Sequence, residues 1–358
     1  MLYRADWHEP LTERSWDDAW VRDAAAALVQ DAVAAYDADE LWPAHDSDSD
    51  GDPGPLLDVY AGAAGVAWAL ARLGADFDAV GAARRTHERF LAKPPELPPV
   101  VPREWRSSLL SGETGIAYVA AAPHDGLVAL IRANLGNPAN ELMWGVAGTL
   151  LAARAIGADD AVRESVDALR AARDDDGLWT QRVYGYTFRS FGPVHGLVGN
   201  AFALDDLAST VAIVRDLALR ENGHVNWMPG PGDSNVRLQW CHGAPGLITT
   251  LGAQLDEDLL LGGAQLTWDA GPFEHVDKGC GICHGTAGNG YALLKTFEVT
   301  QDELWLERAR AFAVHALEQA QALPPRYSLF TGGIGAALFA QDCLDGRVRF
   351  PVLDWLVE

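Results

Sequence analysis

Seven times between residues 62 and 335 the chain places a Gly-x-x-Gly turn ahead of an apolar, alanine-rich stretch. The turns are Gly62–Gly65, Gly112–Gly115, Gly145–Gly148, Gly196–Gly199, Gly243–Gly246, Gly285–Gly288 and Gly332–Gly335. A single such turn is a chance occurrence. Seven, with first glycines 33 to 51 residues apart, mark a repeat with room for two helices per unit. Stretches such as Val66-Ala67-Trp68-Ala69-Leu70 and Tyr291-Ala292-Leu293-Leu294 read as buried inner helices, whereas 161–173 and 303–322 carry the charged stripes of outer ones. Strand-like alternation is nearly absent. The pattern predicts an all-α chain in which glycine turns open closely packed inner helices and outer helices cover them.

The repeats fill residues 58–358, and the chain is predicted to be one domain over 1–358. Ahead of them, 17–38 has the spacing of an amphipathic helix, and an acidic stretch follows at 45–53. Asp46, Asp48, Asp50 and Gly51 match the start of a calcium loop, but Leu57 stands where the loop needs Glu. The expectation is a solvated acidic loop. No apolar run approaches the roughly 20 residues a membrane span needs, and no export signal follows Met1, so a soluble, cytoplasmic protein is expected. A net charge of −23, with Lys93, Lys278 and Lys295 the only lysines, repels phosphate backbones and argues against a nucleic-acid partner. Such a surface also suits a high-salt cytoplasm, where like charges are screened.

Residues at equal offsets from each turn belong at one end of a rotationally repeated assembly. The position before the first glycine is His195, His242 and His284 in three consecutive units, and the position before that is Val194, Cys241 and Cys283. Two thiols and three imidazoles are thus predicted at one pole. Zinc takes thiolate and imidazole in tetrahedral geometry and keeps one position open where it is catalytic. Five candidates exceed the need of one ion. A closed structural site of Cys241, His242, Cys283 and His284 therefore stands beside an open one. Of the remaining cysteines, Cys280 begins a CxxC with no second copy and reads as a small packing residue. Without export, disulfides among cysteines 241, 280, 283 and 343 are the weaker reading.

The segments Trp240-Cys-His-Gly-Ala-Pro-Gly246, Lys278-Gly-Cys-Gly-Ile-Cys-His-Gly-Thr-Ala-Gly-Asn289, His195-Gly-Leu-Val-Gly199 and Tyr327-Ser-Leu-Phe-Thr-Gly332 together resemble the lanthionine synthetase C family, and in particular its stand-alone LanC-like branch. The resemblance runs from about residue 58 to the C-terminus. It implies an α/α toroid of seven inner and seven outer helices with one zinc ion at the pole. It implies Cys241, Cys283 and His284 as zinc ligands, His195 as the active-site histidine, and Glu141 in the place of the cyclases' catalytic Asp. Lys278 matches a basic residue that contacts the carboxylate of a thiol ligand, and Arg4 and Arg326 are further candidates for that role.

The residues point to the same chemistry. Two thiolates and a neutral imidazole leave a bound zinc uncharged, and a third thiol entering there loses its proton while its sulfur stays nucleophilic. That suits addition of a thiol, from a peptide cysteine or a small molecule, to dehydroalanine or dehydrobutyrine in a dehydrated peptide. The product is a thioether, and the enolate formed needs a proton that an imidazolium at His195 would give. The spacings leave no room for a sizeable inserted domain, which with Glu at 141 favours a small thiol over ring closure. A non-catalytic zinc- and thiol-binding sensor is the alternative. A toroid glycoside hydrolase ranks last, because the offset positions carry Cys and His rather than paired acids.

Overall fold

In the computed structural model, which describes residues 2–49, 54–95, 103–274, 278–351 and 353, the seven turns each open a helix. Helix α1 (Asp18–Ala34) is followed by one helical turn, α2 (Asp46–Ser49). The first repeat then gives α3 (Ala63–Arg72) and α4 (Ala79–Ala92), and the second α5 (Glu113–Val119) and α6 (His124–Ala133). Four more elements, α7 (Val146–Ala155), α8 (Asp159–Ala171), α9 (Leu197–Leu204) and α10 (Leu207–Asp216), continue the alternation. The last are α11 (Ala244–Leu251), α12 (Glu257–Ala270), α13 (Thr286–Thr300), α14 (Glu303–Ala322) and α15 (Gly333–Asp345).

The odd-numbered helices from α3 to α15 are the inner layer. All eight residues of α11 are buried, whereas the outer α8 buries only Ala161, Ser165 and Leu169 of its thirteen. The even-numbered helices from α4 to α14 cover them, and α1 takes the seventh outer place by packing on α15 and α14. Contacts of α15 with α3 close the ring. The fold is the α/α toroid of seven inner and seven outer helices.

The second glycine of each turn explains the repeat. A Cβ on Gly199 would lie 1.8 Å from the Pro193 carbonyl oxygen, and one on Gly246 1.8 Å from that of Trp240. In every unit the chain folds back over the start of its inner helix, and no side chain fits beneath it. This fold-back presents the residues just before the turn at one pole.

Those residues are also linked around the axis by backbone hydrogen bonds. Cys241 N donates to Cys283 O (3.1 Å), Cys283 N to Phe330 O (2.8 Å), Phe330 N to Tyr60 O (3.1 Å), and Tyr60 N to Leu110 O (3.0 Å). Leu110 N to Met143 O (3.4 Å) and Leu142 N to Val194 O (3.0 Å) continue the belt. All but Leu142 stand two residues before the first glycine of a repeat.

The chain is as nearly strand-free as expected, and one expectation, on the acidic stretch, needs correction. The fold contains short antiparallel hairpins, β1 (Gln181–Val183) with β2 (Tyr186–Phe188) and β3 (Leu219–Glu221) with β4 (His224–Asn226), at three residues per strand too brief for alternation to register. The acidic stretch is not simply solvated. Asp48 is 5% exposed and forms a two-point ion pair with Arg326, while accepting from the hydroxyls of Thr331 (2.9 Å) and Ser328 (3.2 Å). Burial opposes ionisation of Asp48, but these partners outweigh it and hold its pKa below the usual value. Residues Asp50, Gly51, Asp52 and Pro53 of that stretch lie outside the described residues. Among the described residues no helix is long and apolar enough to cross a membrane.

Candidate metal centre and active site

The belt brings Cys241 and Cys283 to adjacent places, and His284 follows Cys283 in the chain. One ligand atom from each of Cys241, Cys283 and His284 lies within 4.8 Å of the others, with both cysteines buried. In a tetrahedral zinc site, with bonds of about 2.0–2.3 Å, donors stand about 3.3–3.8 Å apart, so the set needs only a short adjustment.

The protonation of the pair fits a cation as well. Burial raises both thiol pKa values. At Cys241 the hydrogen bond with Cys283 and the neighbouring His242 and His284 overcome burial and pull the pKa well below the usual one. At Cys283 burial and the charge of Cys241 push it well above. The two sulfurs are thus shifted in opposite directions, and a divalent ion would favour the thiolate of both.

Neither His242 nor Cys280 belongs to this group. His242 stacks on His195 with ring centroids 5.7 Å apart, and burial lowers its pKa to about 4, so the ring is neutral. Its Nδ1 has no hydrogen-bond partner among the described residues. Cys280 is buried and its thiol is pushed up to about 11 by that burial, which keeps it protonated. All four cysteines are free thiols.

His195 and Glu141 meet across neighbouring repeats. Nδ1 of His195 donates to Glu141 Oε2 at 3.0 Å, with Glu141 fully buried and His195 27% exposed. Glu141 also accepts from its own loop, from Met143 N at 3.1 Å and Trp144 N at 2.5 Å. Desolvation lowers the His195 pKa, but the hydrogen bond and charge of Glu141 outweigh it, and the net shift is upward. The arrangement leaves Nε2 as the nitrogen free to exchange a proton.

The cationic candidates are distributed unevenly. Lys278 and His284 line a cavity of about 680 Å³ with Cys280, Arg326, Tyr327 and Thr331. An N-terminal strap reaches this region. Trp7 O accepts from Glu274 N, Glu9 N donates to Pro272 O, and the His8 ring stacks on Phe273 at 4.6 Å. The strap puts Trp7 5.3 Å from Lys278 Nζ and 5.0 Å from the Arg4 guanidinium. Arg4 is ion-paired with Asp6, and Arg326 with Asp48, so each of these arginines already has a carboxylate partner.

Two residues acting on the sulfurs were missed by reading only cysteines and histidines. Gln239 Nε2 donates to Cys241 Sγ at 2.7 Å, and the Tyr60 hydroxyl works against the rise that burial causes in the Cys283 pKa. The signal was in the register. Tyr60 occupies the offset of Cys241 and Cys283, and Gln239 that of Glu141.

Fold and site together define a helical toroid with two thiols and an imidazole converging at one pole, opposite a histidine held by a buried acid. The lanthionine synthetase C-like protein family model matches residues 56–354, and the chain belongs to that family. It is 34% identical over 143 residues to a zebrafish (Danio rerio) protein named glutathione S-transferase LANCL1, a match covering 36% of this chain and 34% of that one. It is 28% identical over 181 residues to LanC-like protein GCL1 of Arabidopsis thaliana, covering 43% and 40%. The chain thus matches well under half the length of either relative. Among solved structures, nisin cyclase superposes with a TM-score of 0.58 at 16% identity, covering 91% of this chain and 94% of that one, which establishes likeness of fold.

Proposed function

We propose that this chain catalyses zinc-dependent addition of a thiol to dehydroalanine or dehydrobutyrine, forming a thioether. The observation that carries the reading is the convergence of Cys241, Cys283 and His284 beside a His195 that Glu141 keeps protonatable. One zinc ion held by those three side chains would supply acidification of an incoming thiol while leaving its sulfur nucleophilic. The sulfur attacks the β-carbon, a C–S bond forms, and the electron pair of the double bond moves onto the acceptor carbonyl. His195 then gives the Nε2 proton to the α-carbon, and the proton shed by the thiol restores the imidazolium, so thiol and alkene combine with no leaving group. Glu141 holds the ring through Nδ1 and stabilises its charge.

Small thiols fit the cavity better than ring closure within a long peptide. The cavity beside His284 has a cation, Lys278, that suits a thiol bearing a carboxylate, and the name of the zebrafish relative supports that class. Arg326 lines the same cavity and Arg4 lies against Trp7 beside Lys278, and both would serve as secondary contacts. Four free cysteines accord with a reducing cytoplasm.

The test is incubation of zinc-loaded protein with a dehydroalanine peptide and small thiols, followed by mass, with Cys283→Ala as control. Adduct at equal rates with the variant rejects the mechanism. Thiol bound without adduct would indicate a sensor instead.

A further inference from the structure

The cavity lined by Lys278 and His284 adjoins the metal ligands. The place where His195 and Glu141 meet is bordered instead by the β1–β2 hairpin. At its base Gln181 donates from Nε2 to Asn140 O at 3.2 Å and accepts at Oε1 from Ser190 N at 3.0 Å, and Asn140 Nδ2 donates to Thr180 O at 2.9 Å. The hairpin is thus tied to the residue before Glu141 and to the loop that runs into His195.

Its outer face is aromatic. Tyr184, Tyr186 and Phe188 are 50%, 74% and 37% exposed, whereas the other exposed large apolar side chains among the described residues, Val80, Leu91 and Leu304, are scattered on outer helices. Scattered ones are ordinary, but three within five positions form a patch. Tyr186 and Phe188, two apart on β2, share one face. Tyr184 (φ 53°) and Gly185 (φ 79°) make a turn that Asn-Gly forms at least cost, so a tyrosine there is strained. The ring held at that cost stands edge-on to Trp105 (5.0 Å) and to Trp144 (6.0 Å), and the Trp144 backbone N–H donates to Glu141. The hairpin also has an open edge. Arg182 pairs with Thr187 and turns its N–H outward to Pro138 O, so Thr187 presents its own N–H and C=O on the opposite, exposed side.

An aromatic face beside an open strand edge suits an extended polypeptide, whose backbone pairs with the edge while its apolar side chains meet the rings. A net charge of −23 opposes a second copy or an anionic membrane there. We propose that the β1–β2 hairpin docks the acceptor as an extended polypeptide with apolar side chains flanking the dehydro residue, and that Tyr186 and Phe188 set this specificity. The thiol then enters from the cavity at His284 and the acceptor from the hairpin, on the side from which His195 gives its proton. The inference rests on the function proposed above.

The test gives full-length, zinc-loaded wild type, Tyr186→Ser and Phe188→Ser a small thiol and one of three acceptors. These are a dehydroalanine peptide flanked by Leu and Phe, the same peptide flanked by Gly and Ser, and N-acetyl dehydroalanine amide. Wild type should show a KM about tenfold lower for the apolar peptide than for the polar one, and each variant should lose most of that preference. No preference in wild type, a preference kept in both variants, or a fall equal for all three acceptors overturns the proposal. So does a dimer in sedimentation, or cosedimentation with phosphatidylcholine vesicles, that Tyr186→Ser abolishes, since the face would then serve a second copy or a membrane. Tyr186 is the most exposed of the three rings and carries the test alone if Phe188→Ser misfolds. Anisotropy of a fluorescein-labelled apolar peptide reads docking without turnover. Wild type that binds this peptide but forms no adduct sinks the proposed function alone, whereas adduct without selectivity sinks only the inference.

Discussion

Replacing Glu141 by Gln removes the charge beside His195 while keeping the size of the side chain. Glu141 Oε2 accepts from His195 Nδ1, and the two oxygens together also accept from Met143 N and Trp144 N. Gln offers a single oxygen, so it loses the charge-assisted bond to the imidazolium and sets an amide N–H against a backbone donor. A hydrogen bond to a charged group contributes about 1.5–3 kcal/mol, a factor of roughly ten to a hundred in rate wherever imidazolium is the minor species. The assay is the pH profile of adduct formation. Wild type should keep its rate above the ordinary histidine pKa of about 6.5, because the His195 pKa is raised. The alkaline limb should move to lower pH in the variant, with the two rates converging as pH falls and both rings become protonated. Stability has the same sign. A raised folded pKa stabilises fully below the unfolded value and is lost as pH rises through the folded one, so this part of the Tm dependence should disappear in Glu141→Gln. A uniform fall in rate at every pH, with the limb unmoved, would refute the role of Glu141 in charging His195.

Cys241→Ala should lower bound zinc from one equivalent to well below that by atomic absorption, and chelation should lower the Tm of wild type but not of the variant. Arg326→Ala should destabilise the fold by about 3–5 kcal/mol in denaturant titration, because it strands the buried Asp48 carboxylate; a loss below 1 kcal/mol would contradict the ion pair. Gly246→Ala should cost about 3 kcal/mol or more, since its Cβ would meet the Trp240 carbonyl at 1.8 Å, and zinc content should fall with it. Lys278→Met should raise KM for a carboxylate-bearing thiol and leave an uncharged thiol unaffected; equal effects on both would remove Lys278 from substrate binding.

The glycine register made the inner helices, the pole and the two cysteines and three histidines near it legible, because close backbone approach leaves its mark on one residue type in every unit, and the family resemblance narrowed these to Cys241, Cys283 and His284. Glu141 stands out only through the family resemblance. Other features depended on tertiary placement that local sequence does not encode. Asp48 looks like one acid among several until Arg326 arrives from the last repeat and buries it. Arg4 and Arg326 read as possible substrate contacts in the sequence, and nothing local to them shows that Asp6 and Asp48 stand beside them as ion-pair partners. Gln239 stands at an informative offset, but a glutamine does not declare itself as a sulfur partner until a sulfur is beside it.

The belt of backbone hydrogen bonds has a consequence for folding. Its link from Phe330 to Tyr60 joins the last repeat to the first, and the bond from Thr331 to Asp48, across 283 residues of sequence, joins the last repeat to the segment ahead of the first. Loop closure over such distances comes late, after local helix pairs have formed. Cys241 and Cys283 therefore exist as ordinary, unshielded thiols during much of folding, and Phe330 reaches Tyr60 only once the circle shuts. A chain trapped with open ends would be recognised by cysteines that react as free thiols do.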